Sequence, residues 1–184
     1  NARGISDAEL QKALADALPA GLRRVLLLPP DDTRLHSGGG RIANIAYHIL
    51  KDSCEVDVMP ALGTHAPMDR ARCRRMFGDI SFERFIAHAW RTDVVRIGTI
   101  PGEVVREASE GFYDAPIDVE VNRRLLEGYD LILSIGQVVP HEVAGMANHA
   151  KNIFVGCGGP AMIHATHILS AFYGVERVMG RVDT

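Results

Sequence analysis

The chain has 184 residues, of which 47% are hydrophobic and 23% charged, the composition of an ordinary globular domain. A formal net charge of −3 argues against a nucleic-acid-binding groove. No apolar run approaches the roughly 20 residues that cross a bilayer. Three cysteines without a CxxC pair favour reduced thiols over a disulfide framework. We therefore expect one cytoplasmic domain whose partners include neither nucleic acid nor membrane.

The first predicted elements are a helix over residues 5–18 and a strand over residues 24–28. Ser6 is a plausible N-cap with Glu9 three residues later, and leucines then recur at a spacing of four. The strand is apolar on both faces and is followed by two prolines. This pattern is typical of a buried parallel strand.

Short apolar runs recur along the rest of the chain. They predict strands over residues 54–59, 94–97, 131–135 and 152–155, with helices near residues 41–50, 69–77, 122–126 and 160–171. Strands that alternate with helices indicate an α/β fold, Rossmann-like and doubly wound, with a mostly parallel sheet and helices on both faces. Such folds bind ligands at the carboxyl ends of their strands.

Polar motifs follow these strands. The segment Asp31-Asp32-Thr33-Arg34 leads to three glycines before a helix, where free backbone N–H groups would suit an anion. Arg34 is able to bind a carboxylate or phosphate with two hydrogen bonds. The spacing matches neither a P-loop nor the GxGxxG fingerprint. A flexible turn capped by Asp31, with no ligand, explains the segment equally well.

Four side chains in the later motifs carry chemistry: His65, His141, Lys151 and His167. An amine can hold a covalent adduct, while imidazoles bind metals or move protons near neutral pH. Gly145 would allow a ligand or a backbone segment to approach closely. Each residue alone also has a structural explanation, such as a hydrogen-bonded turn or a packed lysine stem. Their shared position at strand ends favours one cavity whose rim they form together.

Other polar groups are predicted to be structural. Arginines at positions 70, 72, 74 and 75 are expected to form one solvated helix face. His88 and Asp93 are expected to be surface polar residues, or else a hydrogen-bonded pair. His164 and His167 share a helix face, but with Cys157 as the one nearby thiol they are a poor zinc site.

Together these segments resemble the lactate racemase family, in particular its N-terminal domain. The resemblance covers residues 24–167 and rests on PDDTR at 30–34, ALGTHAPM at 61–68, VNR at 121–123, IGQVVPHEVAG at 135–145 and KNIFVGCGG at 151–159. The histidine–lysine–histidine spacing is its most specific element. We therefore expect residues 1–184 to be the N-terminal cofactor-binding domain of a longer protein.

The resemblance implies a cofactor and a role for each motif residue. The cofactor is a nickel pincer nucleotide, a pyridinium-3-thioamide-5-thiocarboxylic acid mononucleotide, joined to the residue that corresponds to Lys151. His167 corresponds to the histidine ligand of nickel, and His65 and His141 to the two acid–base histidines. Arg34 corresponds to an arginine suited to an anionic substrate. The residues that correspond to the lining of the cofactor pocket are Asp31, Thr33 and Gly145.

The implied reaction is racemisation or epimerisation of a 2-hydroxy acid by hydride abstraction and return, with two histidines as acid and base. Leu35, Ala66 and residues 146–150 depart from the family pattern, so the substrate need not be lactate. The family also has a C-terminal catalytic domain that supplies a further lysine and glutamine. Without it we expect this fragment to be inactive and able to lack the cofactor.

Two alternatives stay open at the level of sequence. One is a non-catalytic ligand- or nucleotide-binding module of the same fold. The other is a nicotinamide dehydrogenase, which the missing GxGxxG motif disfavours. The oligomeric state is also open, with a homo-oligomer among the outcomes.

Overall fold

The structure is a computed structural model that describes residues 4–141, 143 and 145–182. Its elements in chain order are α1 (Asp7–Ala17), β1 (Arg24–Leu28), α2 (Gly39–Leu50), β2 (Glu55–Val58), α3 (Arg70–Phe77), β3 (Val94–Ile100), α4 (Gly102–Ala108), β4 (Ile117–Asn122), β5 (Leu131–Ser134), α5 (Ala150–Phe154), α6 (Pro160–Tyr173) and α7 (Val175–Val178). Three short 3₁₀ helices cover Asp32–Ser37, Phe82–Arg84 and Arg123–Leu126. The predicted α/β class is confirmed. Within the described part of the chain, no helix combines the length and apolarity needed to span a membrane.

The chain divides into two compact units. The first unit contains Asn1–Pro60, Met68–Ala87 and Gly128–Ile135, and the second contains Ala61–Pro67, His88–Glu127 and Gly136–Thr184. The first unit holds the parallel sheet, and the second holds most of the predicted site residues. That residues 1–184 act as one cofactor-binding domain stays a prediction.

The parallel sheet of the first unit has three strands in the order β2-β1-β5. Val25 in β1 pairs with Val56 on one side and with Leu131 on the other. The residues of β1 after Arg24 are fully buried, as expected for a central parallel strand. Because β2 and β5 lie on opposite sides of β1, the topological switch point lies where β1 and β5 end. The Rossmann-like winding with helices on both faces stays a prediction.

The helices of the first unit form largely where the sequence predicts them. Ser6 and Glu9 make the predicted capping box, in which the Glu9 carboxylate accepts the Ser6 N–H at 2.9 Å. A Cβ on Gly40 would lie only 2.0 Å from the backbone oxygen of Met76, so this glycine allows α2 to approach α3 closely. Gly39 donates its N–H to the Ser37 hydroxyl at 3.1 Å. These glycines therefore have packing and capping roles, while anion binding stays a prediction.

The second unit contains a two-stranded antiparallel sheet of β3 and β4. The strand predicted over residues 94–97 exists, but it does not join the parallel sheet. Val95 and Ile97 are 37% and 49% exposed, so this apolar run lacks the cover that a buried parallel strand requires. The helix predicted near residues 122–126 is a 3₁₀ helix, and β4 precedes it. Helix α6 packs against β4.

The strand predicted over residues 152–155 is wrong, because residues 152–154 belong to helix α5 and Val155 is its C-cap. A run of four apolar-rich residues does not distinguish a strand from a short helix by periodicity. The Lys151 carbonyl accepts the N–H groups of Val155 and Gly156, both at 2.9 Å, which closes a helical turn. Lys151 therefore lies within a helix and not at the mouth of a strand.

Candidate functional site

The predicted site residues are divided between the two units. Those in the first unit are Asp31, Thr33 and Arg34, and those in the second are His65, His141, Gly145, Lys151 and His167.

The first group follows β1, beside the switch point of the sheet. Asp31 is only 2% exposed and caps the 3₁₀ helix that begins at Asp32. Its Oδ1 accepts the Thr33 N–H at 3.2 Å and the Thr33 hydroxyl at 2.5 Å. Arg34 is exposed. The predicted cap at Asp31 is therefore confirmed, and it fixes the backbone that carries Thr33 and Arg34.

Asp32 anchors the same segment to α3. Arg72 donates from Nε to Asp32 Oδ2 at 2.9 Å, and Arg75 donates from Nη2 to the same oxygen at 3.1 Å. The hydrogen bond from Arg72 lowers the pKa of Asp32, against an opposing effect of burial. The prediction of one solvated arginine face is confirmed for Arg75, whose side chain is 62% exposed, whereas the Arg72 side chain is only 33% exposed. The Asp32 carboxylate, which belongs to the predicted motif, accepts hydrogen bonds from both side chains.

His65 lies on the tight turn that the sequence predicts. Its N–H donates to the Leu62 carbonyl at 2.9 Å, and its side chain is exposed. Gly63, which has a φ of 55°, donates its N–H to the Gly156 carbonyl at 2.8 Å. The turn that carries His65 is therefore attached to the segment that follows the Lys151 helix.

His141 lies in a loop that Gly145 closes. The His141 N–H donates to the Gly145 carbonyl at 2.7 Å, and a Cβ on Gly145 would lie 2.7 Å from the Arg181 carbonyl oxygen. The predicted close approach of backbone at Gly145 is confirmed. The Val143 N–H lies 3.1 Å from His141 Nδ1. Since an N–H only donates, the neutral ring carries its proton on Nε2.

A cavity of about 480 Å³ lies within the second unit, a volume suited to a small organic ligand. Lys151, half-buried, and Gly145 both line it. Besides Lys151, the polar side chains on its wall are Ser109, Asn148, His149, Thr166, Ser170, Tyr173 and Arg181. Of the residues predicted from sequence to form the site, Lys151 and Gly145 share this ligand-sized cavity. In the described part of the chain, His65, His141 and His167 do not line it, so their convergence with the amine stays a prediction.

His167 lies in α6, next to the cavity-lining residue Thr166. Its Nδ1 is 2.7 Å from the carbonyl oxygen of Ile163, one turn earlier in the same helix. A carbonyl only accepts, so Nδ1 carries the proton and the neutral ring presents an unprotonated Nε2. This is the tautomer that binds a metal through Nε2.

A glycine turn, residues 156–159, connects α5 to α6 and contacts several other segments. A Cβ on Gly158 would lie 2.0 Å from the Phe154 carbonyl oxygen, and one on Gly159 would lie 2.3 Å from the Glu120 carboxylate. Glu120 in turn accepts the N–H of Ala161 at 3.0 Å, which satisfies a donor at the start of α6. The glycine turn therefore joins the Lys151 helix, the His167 helix and the His65 turn with little free space.

His88 and Asn122 are residues whose role the sequence did not reveal. His88 is 1% exposed and Asn122 is 0% exposed. His88 Nε2 lies 3.0 Å from the Gly158 carbonyl, and its Nδ1 lies 3.0 Å from the Asn122 amide nitrogen. Burial lowers the pKa of His88. The prediction of surface polarity is wrong for His88. The predicted hydrogen bond to Asp93 is also wrong, because both ring nitrogens of His88 face other partners and Asp93 binds Arg123. The sequence offered one signal for this role, because Asn122 belongs to the VNR stretch at 121–123 that contributes to the family resemblance.

The metal-binding and thiol chemistry of the described residues is limited. Among them, no three His, Cys, Asp or Glu side chains lie together in a way that would hold a metal. Cys157 is fully buried, and burial raises its pKa to about 12, so it is a neutral thiol and a poor nucleophile.

The chain is similar to solved structures and to a protein-family profile. A structure from Thermotoga maritima is 24% identical, with a TM-score of 0.85 over 98% of this chain and 45% of that chain. The lactate racemase apoprotein from Thermoanaerobacterium thermosaccharolyticum is 21% identical, with a TM-score of 0.61 over 84% of this chain and 37% of that one. The chain thus spans less than half of either protein. No curated protein matches it. The sequence profile of the lactate racemase N-terminal domain matches residues 6–179, and the chain belongs to that family.

Proposed function

We propose that this chain is the cofactor-bearing part of a racemase or epimerase that acts on a 2-hydroxy acid, with a nickel pincer nucleotide attached to Lys151. The observation that carries the proposal is the position of Lys151 and Gly145 on the wall of one cavity of about 480 Å³. Membership of the lactate racemase N-terminal domain family supports the reaction class.

The residues present fit this cofactor. Lys151 offers an amine for a thioamide bond, and small residues beside it leave room for a nucleotide. His167 presents an unprotonated Nε2, the atom that would bind nickel. With no cluster of three protein ligands among the described residues, the other donors would come from the pincer itself. Sulfur donors and one imidazole suit nickel(II). When bound, the cofactor would supply a site that accepts and returns a hydride.

The chain's own residues would bind the substrate and move protons. Arg34 would hold the carboxylate of the 2-hydroxy acid with two hydrogen bonds. His65 and His141 would exchange the hydroxyl proton, one for each enantiomer, because the hydroxyl points to opposite sides in the two. In its neutral form His141 presents Nε2–H and would donate a hydrogen bond to the oxygen on the reacting carbon, so taking up the hydroxyl proton at Nε2 would require the other tautomer.

We also propose a cytoplasmic location and a C-terminal catalytic domain as partner. The second candidate function is a ligand-binding module without catalysis. It is favoured by one observation, since the cavity wall includes Lys151 but none of the three predicted imidazoles among the described residues.

The test uses the full-length protein produced together with the enzymes that synthesise the cofactor. We expect intact-mass spectrometry to show an adduct that Lys151→Ala abolishes and Lys12→Ala, at an exposed helix position, leaves in place. A panel of 2-hydroxy acids should show inversion that His65→Ala and His141→Ala each remove. An unmodified mass without nickel would contradict the cofactor. An adduct without inversion of any 2-hydroxy acid would support the binding module.

A further inference from the structure

We infer that His88 and Asn122 are positioning residues that fix the glycine turn (residues 156–159), and through it the placement of Lys151 relative to His167. The geometry of the turn stands on its own. The inference rests on the proposed function only for what Lys151 and His167 bind.

The hydrogen bonds of the pair have a single consistent assignment. The Asn122 Oδ1 accepts the Arg124 N–H at 3.0 Å, so the other end of the amide is the nitrogen that faces His88. An amide nitrogen only donates, and therefore His88 Nδ1 accepts. His88 Nε2 then carries the ring proton and donates it to the Gly158 carbonyl at 3.0 Å. The imidazole is neutral and uses both nitrogens.

The pair holds consecutive carbonyls of the glycine turn. His88 binds the Gly158 carbonyl, and the backbone N–H of Asn122 donates to the Cys157 carbonyl at 2.8 Å. The turn follows α5, which carries Lys151, and precedes α6, which carries His167. Because two successive peptide groups are fixed, the directions in which the two helices leave the turn are fixed as well.

A network of this kind selects one arrangement of the backbone. No buried side-chain nitrogen or oxygen in the described residues is without a hydrogen-bond partner, so the pair is fully satisfied. An apolar side chain at position 88 would fill the same volume but leave the Gly158 carbonyl and the Asn122 amide without these partners. Buried polar groups in that state are strongly disfavoured. A ring with one donor and one acceptor meets both needs at once.

Two substitutions of His88 separate positioning from simple packing. His88→Gln keeps one donor and one acceptor, whereas His88→Phe keeps a planar ring and removes both. In the full-length protein without cofactor, we expect His88→Phe to accelerate amide hydrogen exchange in residues 156–163 by about tenfold, the order expected for a lost buried hydrogen bond. His88→Gln should stay within about twofold of the unsubstituted protein if it restores that bond.

The reactivity of Lys151 provides a readout that packing alone would not move. The chain contains lysines at positions 12, 51 and 151, and their acylation by an amine reagent is resolved by peptide mass spectrometry. We expect His88→Phe to raise the acylation rate of Lys151 severalfold while Lys12 and Lys51 keep theirs. A folded His88→Phe protein with unchanged exchange and unchanged Lys151 reactivity would overturn the inference.

Asn122→Asp covers the case in which His88→Phe does not fold. An aspartate keeps the Oδ1 acceptor and the backbone N–H but has no side-chain donor for His88 Nδ1. We expect nitrogen NMR to show His88 protonated at both nitrogens near neutral pH, with faster Lys151 acylation in a cooperatively folding protein. Unchanged Lys151 reactivity in this variant, or global unfolding of His88→Gln, would count against a positioning role. If these effects appear but the unsubstituted protein carries no adduct on Lys151, the proposed function fails and the inference stands.

Discussion

The two units hold their predicted site residues by different physical means. In the first unit, a buried carboxylate cap and ion pairs to α3 attach the Asp31–Arg34 segment beside a parallel sheet. In the second unit, a neutral imidazole, an amide and closely packed glycines hold the segments around Lys151. The first arrangement depends on the ionised Asp32 carboxylate and the second on an uncharged histidine. The two should therefore respond differently to truncation, to added volume and to acid.

The largest effect is expected in the core of the first unit. Leu26 is fully buried in the central strand, and Leu26→Ala should lower the free energy of unfolding by about 2–5 kcal/mol through lost burial and a residual cavity. Leu35→Ala, at a position that is 45% exposed, is the control and should change it by less than about 0.5 kcal/mol. Urea denaturation measures both. Equal effects would mean that β1 is not the centre of the core.

Added volume should affect the glycine turn of the second unit. Gly158→Ala would place a Cβ 2.0 Å from a backbone oxygen, and we expect a loss of about 1–3 kcal/mol from the forced displacement. Gly98→Ala is the matched control in the same unit, because nothing lies within 4 Å of its Cβ position. Thermal denaturation of both variants tests this difference. A Gly158→Ala protein as stable as Gly98→Ala would show that the turn has free space.

Acid should separate the two units by the pH at which each loses stability. The folded-state pKa of His88 is lowered by burial, so the unfolded chain binds a proton first. Stability from His88 is complete above about pH 6.5 and falls as the pH drops from there toward the folded pKa. The pKa of Asp32 is also lowered, and its contribution is complete above about pH 3.9 and falls below it.

Urea midpoints between about pH 3 and pH 8 test this difference. The upper step should vanish in His88→Gln, and the lower step should shrink in Asp32→Asn. Asp93 and Arg123 contact each other near this histidine and are retained in both variants. An upper step that persists in His88→Gln would assign it to another group.

The smallest effect is expected just before the lysine helix. Asn148 has a φ of 65°, and its side chain donates to the Gly136 carbonyl at 3.1 Å. Asn148→Gly relieves the left-handed backbone but loses this hydrogen bond, so stability should change by less than about 1 kcal/mol. Asn148→Val loses the bond and suits that backbone poorly, and should be the less stable of the two. Differential scanning calorimetry compares them.

Sequence reasoning succeeded where periodicity and local capping determine structure. The first helix, its Ser6 cap, the buried strand β1 and the Asp31 cap all follow from residues near in sequence. It failed for residues 152–155, because a short apolar run fits either a strand or a helical turn. It also failed for His88, since the groups that bind it lie 34 and 70 residues away. Such long-range partners leave no local pattern.

The group that orients the His167 ring, the Ile163 carbonyl, belongs to the same helix. The carbonyl that receives its Nδ1 proton lies one turn earlier in α6, so no other element of the fold decides which nitrogen faces outward. The imidazole is thereby preset for coordination before any ligand arrives. If nickel binds the neutral ring at this position, it would meet a lone pair already in place on Nε2.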